Sequence, residues 1–150
     1  MHLIKFLILP KSLFLRKFVP IFYIILLQLL TGIPKPEYFQ NMNFSSVAVR
    51  FSEEIYNYPY WLQDLSHIPL FFILTWLLHW FIILPDNKPN NFRYSVVLFF
   101  SFFYAFFNEG VQVFIPDRFP SLGDLLMNLS GVFLCIFSYK GASRKINSNK

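Results

Sequence analysis

The chain has 150 residues, of which 55% are hydrophobic, 21% are aromatic and only 14% are charged. Globular chains average about 25% charged residues, and the 21 Phe side chains would be hard to bury in the core of one soluble domain. The composition therefore predicts an integral membrane protein rather than a soluble one, and the length indicates one domain.

The net charge of +5 comes from basic residues that flank the apolar runs. Ten of the thirteen Lys and Arg residues lie in the N-terminal arm 1–17, the segment 85–93 and the tail 140–150. Basic residues beside apolar spans follow the positive-inside rule, so the charge indicates topology, with contact to anionic lipid headgroups as the alternative. No nucleic-acid partner is expected.

The first apolar run covers residues 18–33 and follows the basic arm 1–17. Its 16 uncharged residues are near the lower limit for a transmembrane helix, about 17–25 residues. A cleaved signal peptide is the alternative, although Thr31-Gly32-Ile33-Pro34 is a poor small-residue cleavage site. We expect the run to be retained as the first transmembrane helix.

The only long connection, residues 34–60, is too polar to span a membrane. Within it, residues 45–56 are compatible with a short amphipathic helix at the interface. The aromatic residues between Tyr56 and Trp61 are typical of the membrane–water boundary.

Three further spans are predicted at residues 61–84, 94–114 and 121–139. Together with the first they predict an all-α membrane fold, a compact bundle of four transmembrane helices with a membrane domain over residues 18–139. The distribution of basic residues places both termini in the cytoplasm, and the connections 34–60 and 115–120 outside. The tail 140–150 is basic and polar, and we expect it to be disordered.

This topology brings polar residues from three predicted spans to the outer leaflet. Asp, Lys or Arg at the centre of a membrane helix costs about 2.5–3.5 kcal/mol on insertion scales, and such residues persist where they face protein or water. Spacings of i, i+3 and i, i+4 place the members of each pair on one helix face. The expected members of this binding cluster are Asp64, His67, Glu109, Gln112, Arg118, Asp124 and Asn128.

Structural roles are the alternative for several of these residues. Ser121 and Asp124 fit a capping box, and Asp64 fits a helix cap. Arg118 fits an interfacial anchor, and the Gln and Asn side chains fit hydrogen bonds between helices. Beside these polar faces, Gly110 and Gly131 are expected to let helices approach closely.

Glu109 is the residue that a structural role explains least well. It follows two Phe residues and precedes Val111, so it needs a partner such as Arg118 or His67. By contrast, His79 has no polar companion and is interpreted as structural. The single cysteine, Cys135, excludes an internal disulfide and is interpreted as an apolar filler.

No sequence motif indicates a cofactor. The Walker, GxGxxG, HExxH and CxxC patterns are all absent from the sequence. One His and three carboxylates could hold a metal ion, but their spacing is not diagnostic, so no metal is predicted.

A combination of short motifs is nevertheless familiar, although each motif alone is weak. It consists of Asp64-x-x-His67, Glu109-x-x-Gln112, Pro116-x-Arg118, Asp124-x-x-x-Asn128 and Gly131. Over about residues 61–139 this combination resembles the VanZ-like family of small bacterial membrane proteins. The chain departs from the family's usual residues at Leu65, Asn108 and Asp117.

The resemblance implies a multi-pass protein of the bacterial cytoplasmic membrane that belongs to the cell envelope. The family's namesake is associated with low-level resistance to the glycopeptide teicoplanin, and many members have no assigned role. The resemblance therefore implies a fold and a polar cluster more strongly than it implies a biochemical activity.

Two functions remain open at this point. The favoured one is a non-enzymatic envelope protein that binds a lipid headgroup, a cell-wall precursor or a lipophilic glycopeptide at the polar cluster. The alternative is a membrane-embedded enzyme that acts on a lipid-linked envelope substrate. In that case His67 or Glu109 would be the general acid or base, and Arg118 would hold a phosphate or carboxylate. The oligomeric state is not indicated.

Overall fold

The fold is all-α throughout the part of the chain that the computed structural model describes. That part comprises residues 6–8, 10–35, 45, 65–83, 91–115 and 120–148. It contains the helices α1 (Leu13–Thr31), α2 (His67–Ile82), α3 (Asn91–Gln112) and α4 (Leu122–Ser148), and a short helical turn at residues 6–8. No strand occurs among these residues, so the all-α class predicted from the sequence is confirmed for them.

Helix α2 lies at the centre of the bundle and packs against each of the other three helices. Its side chains Leu74 and Leu78 enter a core with Val97 and Ala105 of α3 and Val132 of α4. A helix that is apolar on all sides is typically buried, which explains why α2 takes this position.

Among the described residues, the helices α1, α3 and α4 are long and apolar enough to cross a membrane. Large apolar side chains such as Phe22, Phe99 and Phe137 are exposed on the outside of the bundle, where lipid would cover them. Helix α2 has 16 residues and is about 24 Å long, less than the roughly 30 Å of a hydrocarbon core. The membrane-protein class is thus supported by three candidate spans.

Helix α1 begins at Leu13, before the predicted start at residue 18, because Ser12 caps it. The Ser12 hydroxyl accepts a hydrogen bond from the backbone N–H of Leu15 at 3.4 Å. The helix ends at Thr31, and Gly32 follows with φ of +123°, a conformation that side chains disfavour.

The described part of the basic arm contributes a buried basic side chain, Arg16, to the bundle. Arg16 is 4% exposed and donates from Nε to the Trp80 carbonyl at 3.0 Å and from Nη2 to the Ile83 carbonyl at 2.7 Å. These carbonyls lie at the C-terminal end of α2, where backbone acceptors lack helical partners and cations are favoured. Arg16 is therefore a helix cap supplied by another helix.

Aromatic side chains also hold the residues that precede α1. Trp76 and Trp80 each donate an indole N–H to the Leu7 carbonyl at 2.7 Å. The Tyr139 hydroxyl donates to the Ile8 carbonyl at 2.7 Å. Helices α2 and α4 thus hold Leu7 and Ile8 against one end of the bundle.

Helix α4 continues to Ser148, so the disorder predicted for the tail is wrong up to that residue. The segment after Tyr139 contains no Pro, and its basic residues are favourable at a helix C-terminus. The predicted interfacial helix at 45–56 and the aromatic boundary residues 56–61 lie outside the described residues, apart from Ser45.

Gly131 is the contact point of α2 and α4. A Cβ atom at this position would lie 2.3 Å from the Ile68 carbonyl oxygen and 3.1 Å from the Phe72 nitrogen. The close approach predicted for Gly131 is confirmed. At Gly110 a Cβ atom would meet no described atom within 4 Å, so the expectation for that glycine is wrong in this part of the chain.

Candidate functional site

His67 is the first residue of α2, and each of its two ring nitrogens lies close to a different residue of α4. Its Nδ1 lies 2.9 Å from Asn128 Oδ1, and its Nε2 lies 3.6 Å from Asp124 Oδ1. Because Asp124 and Asn128 are four residues apart, they project from one face of α4. An amide oxygen can only accept, so Nδ1 is the donor in this contact, and in the neutral form of the ring Nε2 would carry the lone pair.

Glu109, in the last turn of α3, receives hydrogen bonds from four N–H groups. Oε1 accepts from Asn128 Nδ2 at 2.9 Å and from Gln112 and Asn108 at 3.4 Å each. Oε2 accepts from the backbone N–H of Ser121 at 3.3 Å. Glu109 is 4% exposed, and these donors provide the compensation that a buried carboxylate requires.

The start of α4 is capped as the sequence predicts. Ser121 Oγ accepts from the backbone N–H of Asp124 at 3.2 Å, which makes Ser121 the N-cap and Asp124 the third helical residue. In a full capping box the third side chain binds the N-cap N–H, but here that N–H donates to Glu109. The cap therefore connects α4 directly to the carboxylate of α3.

The network also extends to α1, through two residues that sequence reasoning did not include. Thr31 Oγ1 donates to Asn108 Oδ1 at 2.7 Å, and Asn108 Nδ2 donates to Glu109. Asn108 is 3% exposed, so it belongs to the interior with Glu109. Its position next to Glu109 in the sequence could have indicated that it belongs to the cluster, but adjacent helical residues do not normally share a face.

The three ionisable side chains of this cluster converge from three helices. His67, Glu109 and Asp124 each place one nitrogen or oxygen atom within 4.8 Å of the other two. Glu109 and Asp124 are buried, whereas the His67 side chain is 22% exposed and forms the accessible side. Chemically, the cluster offers acceptors to a cation or a donor-rich ligand, a base at His67, and a set of metal ligands.

Five of the seven predicted cluster residues lie together in the structure. They are His67, Glu109, Gln112, Asp124 and Asn128. The other two, Asp64 and Arg118, lie outside the described residues. His67 and Glu109 are joined through the Asn128 amide, which donates to one and accepts from the other.

His79 lies apart from this cluster, in the last turn of α2. It is fully buried, it donates from Nδ1 to the Thr75 carbonyl at 2.7 Å, and it stacks on Tyr139 with ring centroids 3.9 Å apart. The fully buried Cys135 is a free thiol. Both residues occupy packing positions, in agreement with the structural roles predicted for them.

A known protein family matches most of the chain. The family model described as VanZ/LLP1 matches residues 18–143, which include most of α1 and all of α2 and α3. No curated protein and no solved structure matches the chain significantly. The matched region also contains every described residue of the polar cluster, including Thr31, which precedes the 61–139 segment that carries the motifs.

Proposed function

The chain belongs to the VanZ/LLP1 family, and we propose that it binds an envelope ligand at the polar cluster between α2, α3 and α4. The ligand is a lipid headgroup, a cell-wall precursor or a lipophilic glycopeptide. Through that binding the protein contributes to resistance against envelope-directed stress such as teicoplanin. In this proposal the protein is a non-enzymatic component of the bacterial cell envelope.

The observation that carries this proposal is the convergence of His67, Glu109 and Asp124 inside an apolar bundle. Helix packing alone would be served by apolar or small residues, since ionisable groups at membrane depth are costly. Envelope ligands of these classes carry hydroxyl, amide or ammonium donors, which are complementary to two carboxylates and an imidazole. The exposed edge of His67 provides the approach.

The proposal includes a topology of four transmembrane helices with both termini in the cytoplasm. Helix α2 lies among three candidate spans and would complete the fourth span with residues on either side of it. In this orientation the cluster faces the outer leaflet of the cytoplasmic membrane. A lipid-linked ligand would then reach His67 without crossing the bilayer.

The alternative function is catalysis on a lipid-linked envelope substrate. It is favoured by one specific feature, the donor role of His67 Nδ1 toward Asn128, which orients the ring and directs Nε2 toward Asp124. An imidazole that is oriented through one nitrogen and directs the other toward the site has the arrangement of a general base or acid. Detection of a chemically changed lipid, formed only by protein with His67 intact, would favour this alternative.

The experiment is to identify the lipids that co-purify with the protein in mild detergent by mass spectrometry. We expect an envelope lipid or precursor with wild-type protein, and its loss with Glu109→Gln at equal yield. Ser130→Ala is the matched control, because Ser130 is exposed on α4 and its hydroxyl binds the Leu126 carbonyl of the same helix. Equal lipid content in all three proteins would contradict the proposal.

A further inference from the structure

We propose that His67, Glu109 and Asp124 form a binding site for one divalent metal ion, with zinc as the preferred ion. The three side chains supply one imidazole nitrogen and two carboxylate oxygens, all within 4.8 Å of one another. Mixed nitrogen and oxygen donors suit zinc, whereas magnesium and calcium prefer sites made of oxygen alone. The metal site uses the same three side chains as the proposed ligand function, but its occupation by zinc does not depend on an envelope ligand.

The distances fit a metal ion that sits between the donors. Zinc binds His nitrogen at about 2.0–2.1 Å and carboxylate oxygen at about 2.0–2.2 Å, so two tetrahedral ligands are roughly 3.4 Å apart. The 3.6 Å separation of His67 Nε2 and Asp124 Oδ1 is too long for a hydrogen bond and close to this ligand spacing. The widest pair, within 4.8 Å, needs to close by at most about 1.4 Å, an adjustment within reach of a side-chain rotation.

The surroundings of the three donors are those that metal sites require. A metal-bound His almost always donates its other ring N–H to an oxygen acceptor, which fixes its tautomer. His67 does so from Nδ1 to Asn128 Oδ1 at 2.9 Å, and this leaves Nε2 to bind the ion. Glu109 is held by the amides of Asn128, Gln112 and Asn108 on Oε1, so Oε2 is the oxygen less occupied by donors.

Three protein ligands leave a fourth position open, as in zinc sites that bind water or a substrate. The open side coincides with His67, the least buried of the three ligands. The cluster resembles an assembled site more than a helix-packing device, because its three ligands come from three different helices and one amide, that of Asn128, orients two of them, His67 and Glu109.

The test is direct metal binding by the full chain in mild detergent, purified without a polyhistidine tag and stripped with a chelator. We expect isothermal titration with zinc chloride, and metal analysis after gel filtration, to give one zinc per chain. Cobalt substitution should give the visible absorption bands of a four-coordinate ion. Asp124→Asn, which keeps the side-chain shape, and His67→Gln should weaken zinc binding at least about 100-fold, and Asn128→Ala about 10–100-fold.

His79→Gln is the control, because it removes a histidine that lies away from the cluster and should retain one zinc. Circular dichroism and gel filtration verify that each variant is folded. Zinc binding that is absent in wild type, or unchanged in both Asp124→Asn and His67→Gln, would overturn the inference. Zinc binding without a co-purified lipid would support the metal site and count against the proposed ligand function. A co-purified lipid without zinc binding would support the ligand function and count against the metal site.

Discussion

At the scale of single residues, Asn128 is the centre of the polar cluster. It accepts from His67 and donates to Glu109, and it is completely buried. Asn128→Leu should lower the free energy of unfolding by about 1–3 kcal/mol, because His67 Nδ1 loses its acceptor and Glu109 Oε1 loses the shortest of its three hydrogen bonds. Unfolding in mixed detergent micelles measures this, with Ser130→Ala expected within about 0.5 kcal/mol of wild type. A change below 0.5 kcal/mol for Asn128→Leu would show that water replaces the amide.

Glu109→Gln separates a working site from a structural network. The substitution retains the shape and part of the hydrogen bonding, so we expect a loss of stability of about 1–2 kcal/mol or less. If the carboxylate charge serves ligand binding, survival under teicoplanin should fall to that of a strain without the protein, while membrane abundance stays normal. The assay uses a strain that depends on this gene. Full survival at normal abundance would leave only a structural role for Glu109.

The residues of the cluster could be predicted where helix periodicity relates them. The pairs Glu109–Gln112 and Asp124–Asn128 each share a helix face, as their spacing predicts. Thr31 could not be predicted, because its contact with Asn108 spans 77 residues and depends on how α1 packs. The choice of Ser121 N–H as a donor to Glu109 likewise depends on tertiary geometry.

At the scale of helices, the approach of α2 to α4 depends on Gly131. Gly131→Ala should destabilise the protein by about 1–3 kcal/mol, because the new Cβ would clash with the Ile68 carbonyl and neither backbone can move freely. Gly110→Ala is the matched control: it adds the same methyl group where no described atom lies within 4 Å. It should be neutral or stabilising by up to about 1 kcal/mol through helix propensity. Equal destabilisation by both substitutions would contradict the packing role of Gly131.

The capping of α2 by Arg16 gives a second prediction for the helices. Arg16→Met keeps much of the apolar stem but removes two hydrogen bonds to the Trp80 and Ile83 carbonyls. We expect a loss of about 1.5–3 kcal/mol, as for a hydrogen bond that involves a charged group. Lys17→Met is the control, since Lys17 is exposed on the same helix. Thermal unfolding in detergent distinguishes the two, and similar melting temperatures would exclude the cap as a stabilising contact.

The helix boundaries show where local sequence is sufficient and where it is not. Apolar runs located all four helices, since burial and lipid exposure both require apolar side chains. Helix α1 begins at Leu13, five residues before the predicted start, because a serine cap and a buried arginine extend it beyond the uncharged run. Helix α4 ends at Ser148, beyond the predicted end at residue 139, because a polar sequence without Pro can remain helical.

At the scale of the whole molecule, the bundle has an apolar exterior and a polar cluster in its interior near one end. Exposed Phe side chains on α1, α3 and α4 cover the outside, and the buried ionisable groups lie inside. Arg16 lies near the start of α1 and the C-terminal end of α2, whereas the cluster lies at the start of α2. If α2 spans the bilayer, the basic arm and the cluster therefore belong to opposite leaflets.

The last prediction assigns these ends to the two sides of the membrane. Ten of the thirteen basic residues fall in the arm 1–17, the segment 85–93 and the tail 140–150, so we expect both termini in the cytoplasm. Single cysteines at Asn43 and Ser148, in a Cys135→Ser background, test this with a thiol reagent that does not cross the membrane. Asn43→Cys should react in intact cells, and Ser148→Cys only after the membrane is opened. The reverse pattern would place the cluster on the cytoplasmic side, where an outer-leaflet ligand could not reach His67.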